Sequence, residues 1–235
     1  MYEDFDYIKM SESFKNNLIW VDDYRRAIDM FWGLSTLLHD LGLQTPYPRA
    51  ITNTVLKYML GTDRKYHTLV HVLSMFEWAE KHNIKLSKAQ QLAIWFHDSI
   101  YEVLREDSEE RSSLFMKALV GETNPPHVGS HAQCIILYTK DFMKDTDNTW
   151  PEGSDLVMDL DLSHFAREEE VFLYADQLVK EEFVPVVGEE EYEKGRIEFF
   201  QTLLARKSIF RTDLFKEKFE TKARKNIEKF INNIS

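Results

Sequence analysis

The sequence predicts an all-α protein, a single bundle of about nine helices, and three observations carry that prediction. Glycine and proline are scarce, with 8 and 6 residues in a chain of 235, roughly half of average usage. Long stretches repeat apolar residues at three- and four-residue spacing, the period of a helix buried on one face. No stretch reads as a convincing strand. Apolar residues make up 43% of the chain and aromatics 13%, enough for the core of one large domain over residues 1–235.

In chain order, Phe14 to Leu41 is a long amphipathic pattern stopped by Gly42, and Arg49 to Leu60 is a second, closed by Gly61. Glycine just past the last periodic residue is a common helix stop. Tyr66 to His82 follows, then Lys88 to about Arg105, opened by a capping box of Ser87 with Gln90. Asp107 with Glu110 repeats that device before Ser108 to Val120. Pro125-Pro126 precedes a helix expected over about His127 to Met143, and the polar stretch Lys144 to Ser154 (KDTDNTWPEGS) reads as a surface loop. Further helices are expected over Leu156 to Phe165, Glu168 to Phe183, Glu189 to Lys207 and Thr212 to Asn232. The domain then divides into N-terminal helices (1–62), a central part (about 63–165) and C-terminal helices (about 166–235).

Charge and cysteine usage narrow the function. With 29 Lys+Arg against 40 Asp+Glu the formal charge is −11, which disfavours a protein that tracks a nucleic-acid polymer, since that task needs a basic stripe. A nucleotide in a pocket stays open. The single cysteine, Cys134, has no partner for an intrachain disulfide, and no cysteine cluster exists to hold zinc. Apolar runs reach only five residues, as in Leu92 to Phe96, and the N-terminus MYEDFDYIKM is acidic. No membrane span and no secretory signal are expected, so the reading is a cytoplasmic protein.

Without cysteine ligands a metal site must use histidine and carboxylate, and the chain has 8 histidines. The set that stands out is His71 (in RKYHTLVHV), the pair His97-Asp98 (in LAIWFHDSIY) and an aspartate of VMDLDLS, either Asp161 or Asp159. Two imidazoles and two carboxylates form a mixed nitrogen and oxygen set suited to a divalent ion such as Mn, Fe, Co, Ni, Zn or Mg rather than Ca²⁺. His97 follows the apolar face Ala89, Leu92, Ala93, Phe96 and Ile100, which puts the pair at the rim of a buried stripe.

This order, H…HD…D on a helical chain, resembles the HD-domain superfamily of metal-dependent phosphohydrolases. The segments YHTLVH, LAIWFHDSIYE, SEERS, MDLDLS, EKGRIEFFQTLLARKSIF and FETKARKN resemble more narrowly the predicted HD-superfamily phosphohydrolases of bacteria and phages, over about Asp63 to Asn226. The resemblance implies a metal held by His71, His97, Asp98 and Asp161, Asp161 being preferred because Leu162-Ser163 follow it, with a small phosphorylated substrate that includes nucleotides. Asp159 then sits behind the metal or faces substrate. Two departures stand out: Ser108 replaces an expected Asn, and Phe142 a His expected after Thr139-Lys140-Asp141.

Other residues complete the expected site. His67 lies four residues before His71, so it can share the metal, touch substrate or be structural. Arg64, Lys65 and Arg111 are the best cationic clamps for phosphate near the motifs. Glu110 is assigned to the Asp107 box, which leaves Glu109, 11 residues beyond Asp98 near the start of the next helix, as the acid/base candidate. Glu220 and Arg224 are spaced for an intrahelical ion pair, and Arg196 can reach the pocket. His39-Asp40 has no upstream histidine partner and reads as bystander sequence. An oxygenase with two irons would need more histidines, for which His127 and His131 are the candidates. A third alternative is a binding module without turnover, suggested by Phe142.

Overall fold

The computed structural model describes Ile8 and residues 32–61, 63–143 and 150–234. Among the described residues all regular structure is helical. In chain order the helices are α1 (32–40), α2 (Tyr47–Met59), α3 (Leu69–Lys81), α4 (Lys88–Phe96), α5 (Ser108–Val120), α6 (His127–Thr139) and α7 (Ser154–Asp161). A 3₁₀ turn, Leu162–Ala166, leads into α8 (Glu169–Val187), α9 (Glu189–Ala205), α10 (Asp213–Lys218) and α11 (Glu220–Ile234). The front of the expected Phe14–Leu41 helix and most of the Lys144–Ser154 loop lie outside the described residues.

Local chemistry accounts for most boundaries. Ser87 accepts from the Gln90 amide and the Gln90 side chain accepts from the Ser87 amide, so the capping box opens α4 as expected. Asp107 makes no such cap: its carboxylate binds Arg105 and Arg111 instead, and Glu110 pairs with Lys140 at 2.7 Å. The second box is therefore a misreading, because nearby cations compete for both carboxylates. Gly188, at φ 85°, makes the reversal between α8 and α9 that a residue with a Cβ would resist.

Three expected helices stop early for tertiary reasons. Lys88–Arg105 ends at Phe96, because the backbone beyond it is claimed from outside, by Arg64 and by Ser112. Leu156–Phe165 becomes α7 followed by the 3₁₀ turn. Thr212–Asn232 breaks at Phe219, which lets the Glu220 carboxylate accept from the amides of Ile209 and Phe210. Arg224 binds Glu220 at 2.7 Å and donates to the carbonyls of Leu204 and Arg206, so the expected ion pair also staples the turn after α9.

One buried cluster runs from Leu34 to Ile227. Helix α6 packs on both α4 and α5, and α7 packs on α6, α4 and α3. On the other side α11 packs against the 3₁₀ turn and α9, where Phe165, Phe172, Phe200 and Phe230 meet edge to face or tilted, with centroids 5.1–6.2 Å apart. Between these two halves α3, α4 and α7 present their ends to a common cleft. No described helix is long and apolar enough to cross a membrane.

Candidate metal centre

Each of three helices brings its residue through a local stop or start. Thr68 caps α3 by accepting from the Val70 amide, which places His71 in the first turn. His97 closes α4 and Asp98 follows it, while Asp161 is the last residue of α7. The His71 Nε2 lies 2.8 Å from Asp161 Oδ1 and 3.3 Å from His97 Nε2. The His97 Nε2 is in turn 3.0 Å from Asp98 Oδ2 and 3.8 Å from Asp161 Oδ1. Both imidazoles are buried, at 2% exposure each.

The donor chemistry fits a cation. The His97 Nδ1–H donates to the Ile94 carbonyl at 2.8 Å, which leaves Nε2 facing His71 and the carboxylates. Two ring nitrogens and a carboxylate oxygen, from His71, His97 and Asp98, lie within 4.8 Å of one another, and this group can hold a metal ion. Burial disfavours a charged His97, but Asp98 and Asp161 outweigh it and raise the imidazole to about 9. Burial likewise opposes the charge on both carboxylates, and His97 for Asp98 and His71 for Asp161 overcome it and hold both well below the usual range. The site concentrates negative charge on a buried nitrogen pair, the condition that favours a divalent ion.

Asp159 does not face this group. Its carboxylate accepts from the amides of Arg211 and Thr212, both at 2.7 Å, and from the Thr212 hydroxyl at 2.6 Å. It is fully buried, and burial raises its carboxyl to about 6. Two positions apart on one helix point to nearly opposite sides, so only one aspartate of the pair can meet His71.

The turn that carries His97 and Asp98 is clamped by Arg64. Its Nη1 donates to the carbonyls of Asp98 at 2.5 Å and His67 at 3.2 Å, and its Nη2 to that of Ser99 at 3.1 Å. Ser112 holds the next residue, accepting from the Ile100 amide and donating to its carbonyl. Arg64, expected as a phosphate clamp, is not among the cleft-lining residues, and three donor contacts go to the backbone that aims the site. An Arg64→Met protein is therefore expected to bind metal about 10- to 100-fold more weakly, as when a partner that orients a ligand is lost. Competition against a fluorescent chelator measures this; full metal affinity with weakened phosphate affinity would restore the clamp.

The other expected cations also stand elsewhere. Arg111 pairs with Asp107 at 2.7 Å on the surface, half exposed, and neither it nor Lys65 lines the cleft. Lys65 contributes its backbone amide, which donates to Glu182. His67 precedes α3 rather than sharing its face, because the helix starts only at Leu69. Its Nδ1 meets Glu182 Oε2 at 2.6 Å and its ring stacks on Tyr101, with centroids 3.9 Å apart.

Glu182 was missed in the sequence. Besides His67 it accepts from the amides of Lys65, Tyr66 and His67 at 2.5, 2.7 and 3.0 Å, although it sits on α8, far along the chain. The available signal was its phase: it shares the buried stripe of Phe172, Ala175, Leu178 and Val179. A second such residue is His164, whose Nδ1 meets the Tyr66 hydroxyl at 2.9 Å; burial and the nearby His71 push it down to about 3, so it is neutral.

These groups border a cleft of about 520 Å³. His67, His97, Asp98, Asp161 and Glu109 line one end, and burial raises the Glu109 carboxyl. The remainder is mainly apolar and aromatic and includes Phe142 and Arg196. His39 and Asp40 are exposed at the end of α1, His127 is exposed, and His131 binds the Glu152 carbonyl, all outside the cleft lining. Comparison with family models, curated proteins and solved structures finds no match to this chain.

Proposed function

We propose that the protein is an HD-domain phosphohydrolase, a helical bundle that hydrolyses a small phosphate ester with a divalent metal held by His71, His97, Asp98 and Asp161. The observation that carries the reading is the meeting of these donors, in the order H…HD…D, beside a ligand-sized cleft that His97, Asp98 and Asp161 line. A divalent ion bound there supplies Lewis-acid polarisation of a phosphoryl oxygen and acidifies water. The chain's own residues do the rest. Glu109, kept protonated over a wider range by burial, gives a proton to the leaving oxygen. With Nδ1 engaged by Glu182, His67 has Nε2 left to hold a substrate oxygen.

The two-iron alternative is less well supported, because His127 and His131 stand outside the cleft lining. The test is a panel of phosphate esters assayed by phosphate release with the Mn²⁺-, Co²⁺- or Ni²⁺-loaded protein. Release that disappears on chelation and in the Asp98→Asn variant is the expected result. A protein with full metal occupancy that releases phosphate from no ester would overturn the proposal.

A further inference from the structure

The wall of the cleft beyond the donors is unlike a site for a highly charged ligand. Phe142, Phe183, Val187, Phe199 and Leu104 form it, and Arg196 is the one arginine or lysine among the described lining residues. That guanidinium is already neutralised: Nε and Nη2 both reach Asp176 Oδ1, at 2.7 and 2.6 Å, and its plane lies over Phe199 and Phe200. Glu109 and Glu191 add negative charge to the lining. A di- or triphosphate would meet repulsion, and among the described lining residues no unpaired guanidinium stands ready to grip its outer phosphates, whereas specific phosphate sites are built around such forks.

Two backbone features shape the same wall. Gly195 lies inside α9, where glycine weakens a helix, its backbone needs no glycine, and no atom lies within 4 Å of where a Cβ would stand. Its bareness gives the cleft room. Leu104 adopts the left-handed conformation, φ 65°, and is 67% exposed, so a branched apolar side chain is held at the rim in a conformation it disfavours. Strain of this kind, at a cleft mouth and on an exposed leucine, points to an apolar surface kept for a ligand.

From these features we infer that the substrate is a phosphomonoester with a single phosphoryl group at the metal end and an uncharged hydrocarbon or aryl body along the wall from Leu104 to Gly195. This rests on the phosphohydrolase reading for the reacting end only. It departs from a nucleotide, whose polar base edge and charged phosphates match a wall made mainly of Leu104, Phe142, Phe183, Val187 and Phe199 poorly.

The test uses the full-length Mn²⁺-loaded protein and two readouts. Calorimetry with 1-naphthylphosphonate, which cannot be hydrolysed, reports binding; kcat/KM compares 1-naphthyl phosphate with adenosine 5′-monophosphate and glycerol 3-phosphate. The naphthyl ligand is expected to be favoured at least about tenfold, since burying an aryl ring removes a large apolar area from water. Gly195→Leu is expected to weaken naphthylphosphonate binding by about tenfold or more with metal content retained. Should that variant fold poorly, Leu104→Asn, which suits the left-handed conformation, is expected to raise Tm and still weaken the same binding.

A preference for the polar esters, or naphthylphosphonate binding that is absent or unaltered by both variants, overturns the inference while leaving phosphohydrolase activity standing. Tight naphthylphosphonate binding with hydrolysis of no ester supports the apolar body and removes the phosphohydrolase reading instead.

Discussion

An Asp98→Asn protein, loaded with Mn²⁺ beside the unaltered chain and passed through a weak chelator, is expected to carry no metal. The reason lies in what the carboxylate does for its neighbours. It stands 3.0 Å from His97 Nε2 and 3.9 Å from His71 Nε2, so it supplies negative charge to a buried nitrogen pair. An amide of the same shape keeps the packing and loses that charge. The expected loss exceeds the roughly 10- to 100-fold that follows from disturbing a partner of a metal ligand. Stability reports the same event independently of activity. Metal at about a hundred times its dissociation constant stabilises a folded protein by about 2.7 kcal/mol, and the variant is expected to gain none of this in thermal unfolding. Stoichiometric metal retained by the variant would dissolve the site assignment.

Removing Glu182 is expected to cost the fold more than any other single change near the cleft. Its side chain is fully buried against His67, and its Oε1 is the acceptor for three successive amides, those of Lys65, Tyr66 and His67. Burial opposes its charge, and the adjacent His67 with those amides more than compensates and holds it below the ordinary glutamate range. In Glu182→Ala each stranded donor costs about 1–3 kcal/mol, and breaking a buried charged pair costs about 3–5 kcal/mol in all, part of the penalty being relieved by entering water. Urea unfolding with an unchanged m-value is the measurement. Glu182→Gln keeps an oxygen for the amides and is expected to recover about half. A loss below about 1 kcal/mol in the alanine variant would mean that the turn is held by something else.

How far the sequence discloses this molecule depends on how local each signal is. The helical period of α2, α5 and α9, and the box at Ser87, are written in adjacent residues, and those elements lie where expected, within a few residues. The early stop of α4 is not local: no glycine or proline marks it, and it depends on Arg64 and Ser112, which belong to other parts of the chain. The same distinction governs the site. His71, His97 and Asp98 stand out by type and order, but the choice between Asp159 and Asp161 turns on the phase of a short helix whose start, after Gly153 in the left-handed conformation, periodicity does not locate. Glu182 and Asp176 were hidden among the many acidic residues of an acidic chain, and only their place on an apolar stripe sets them apart. Arg64 is a case where a cation near a phosphate motif suggests a ligand for phosphate, while carbonyls crowded at a helix end compete for the same donors.

Helix α7 has two masters. Within MDLDLS, Asp161 turns to His71 and Asp159 to the amides of Arg211 and Thr212, on nearly opposite sides of one short rod. Successive residues rotate by about 100°, so the two tasks are served by a separation of two positions and not by one or three. Deleting Leu160, or adding a residue beside it, therefore swings one carboxylate away from its partner whichever end of the rod stays put. Substitution at that position is a question of volume; insertion or deletion is a question of angle, and no neighbouring side chain can repair it. The segment can drift in composition but not in length.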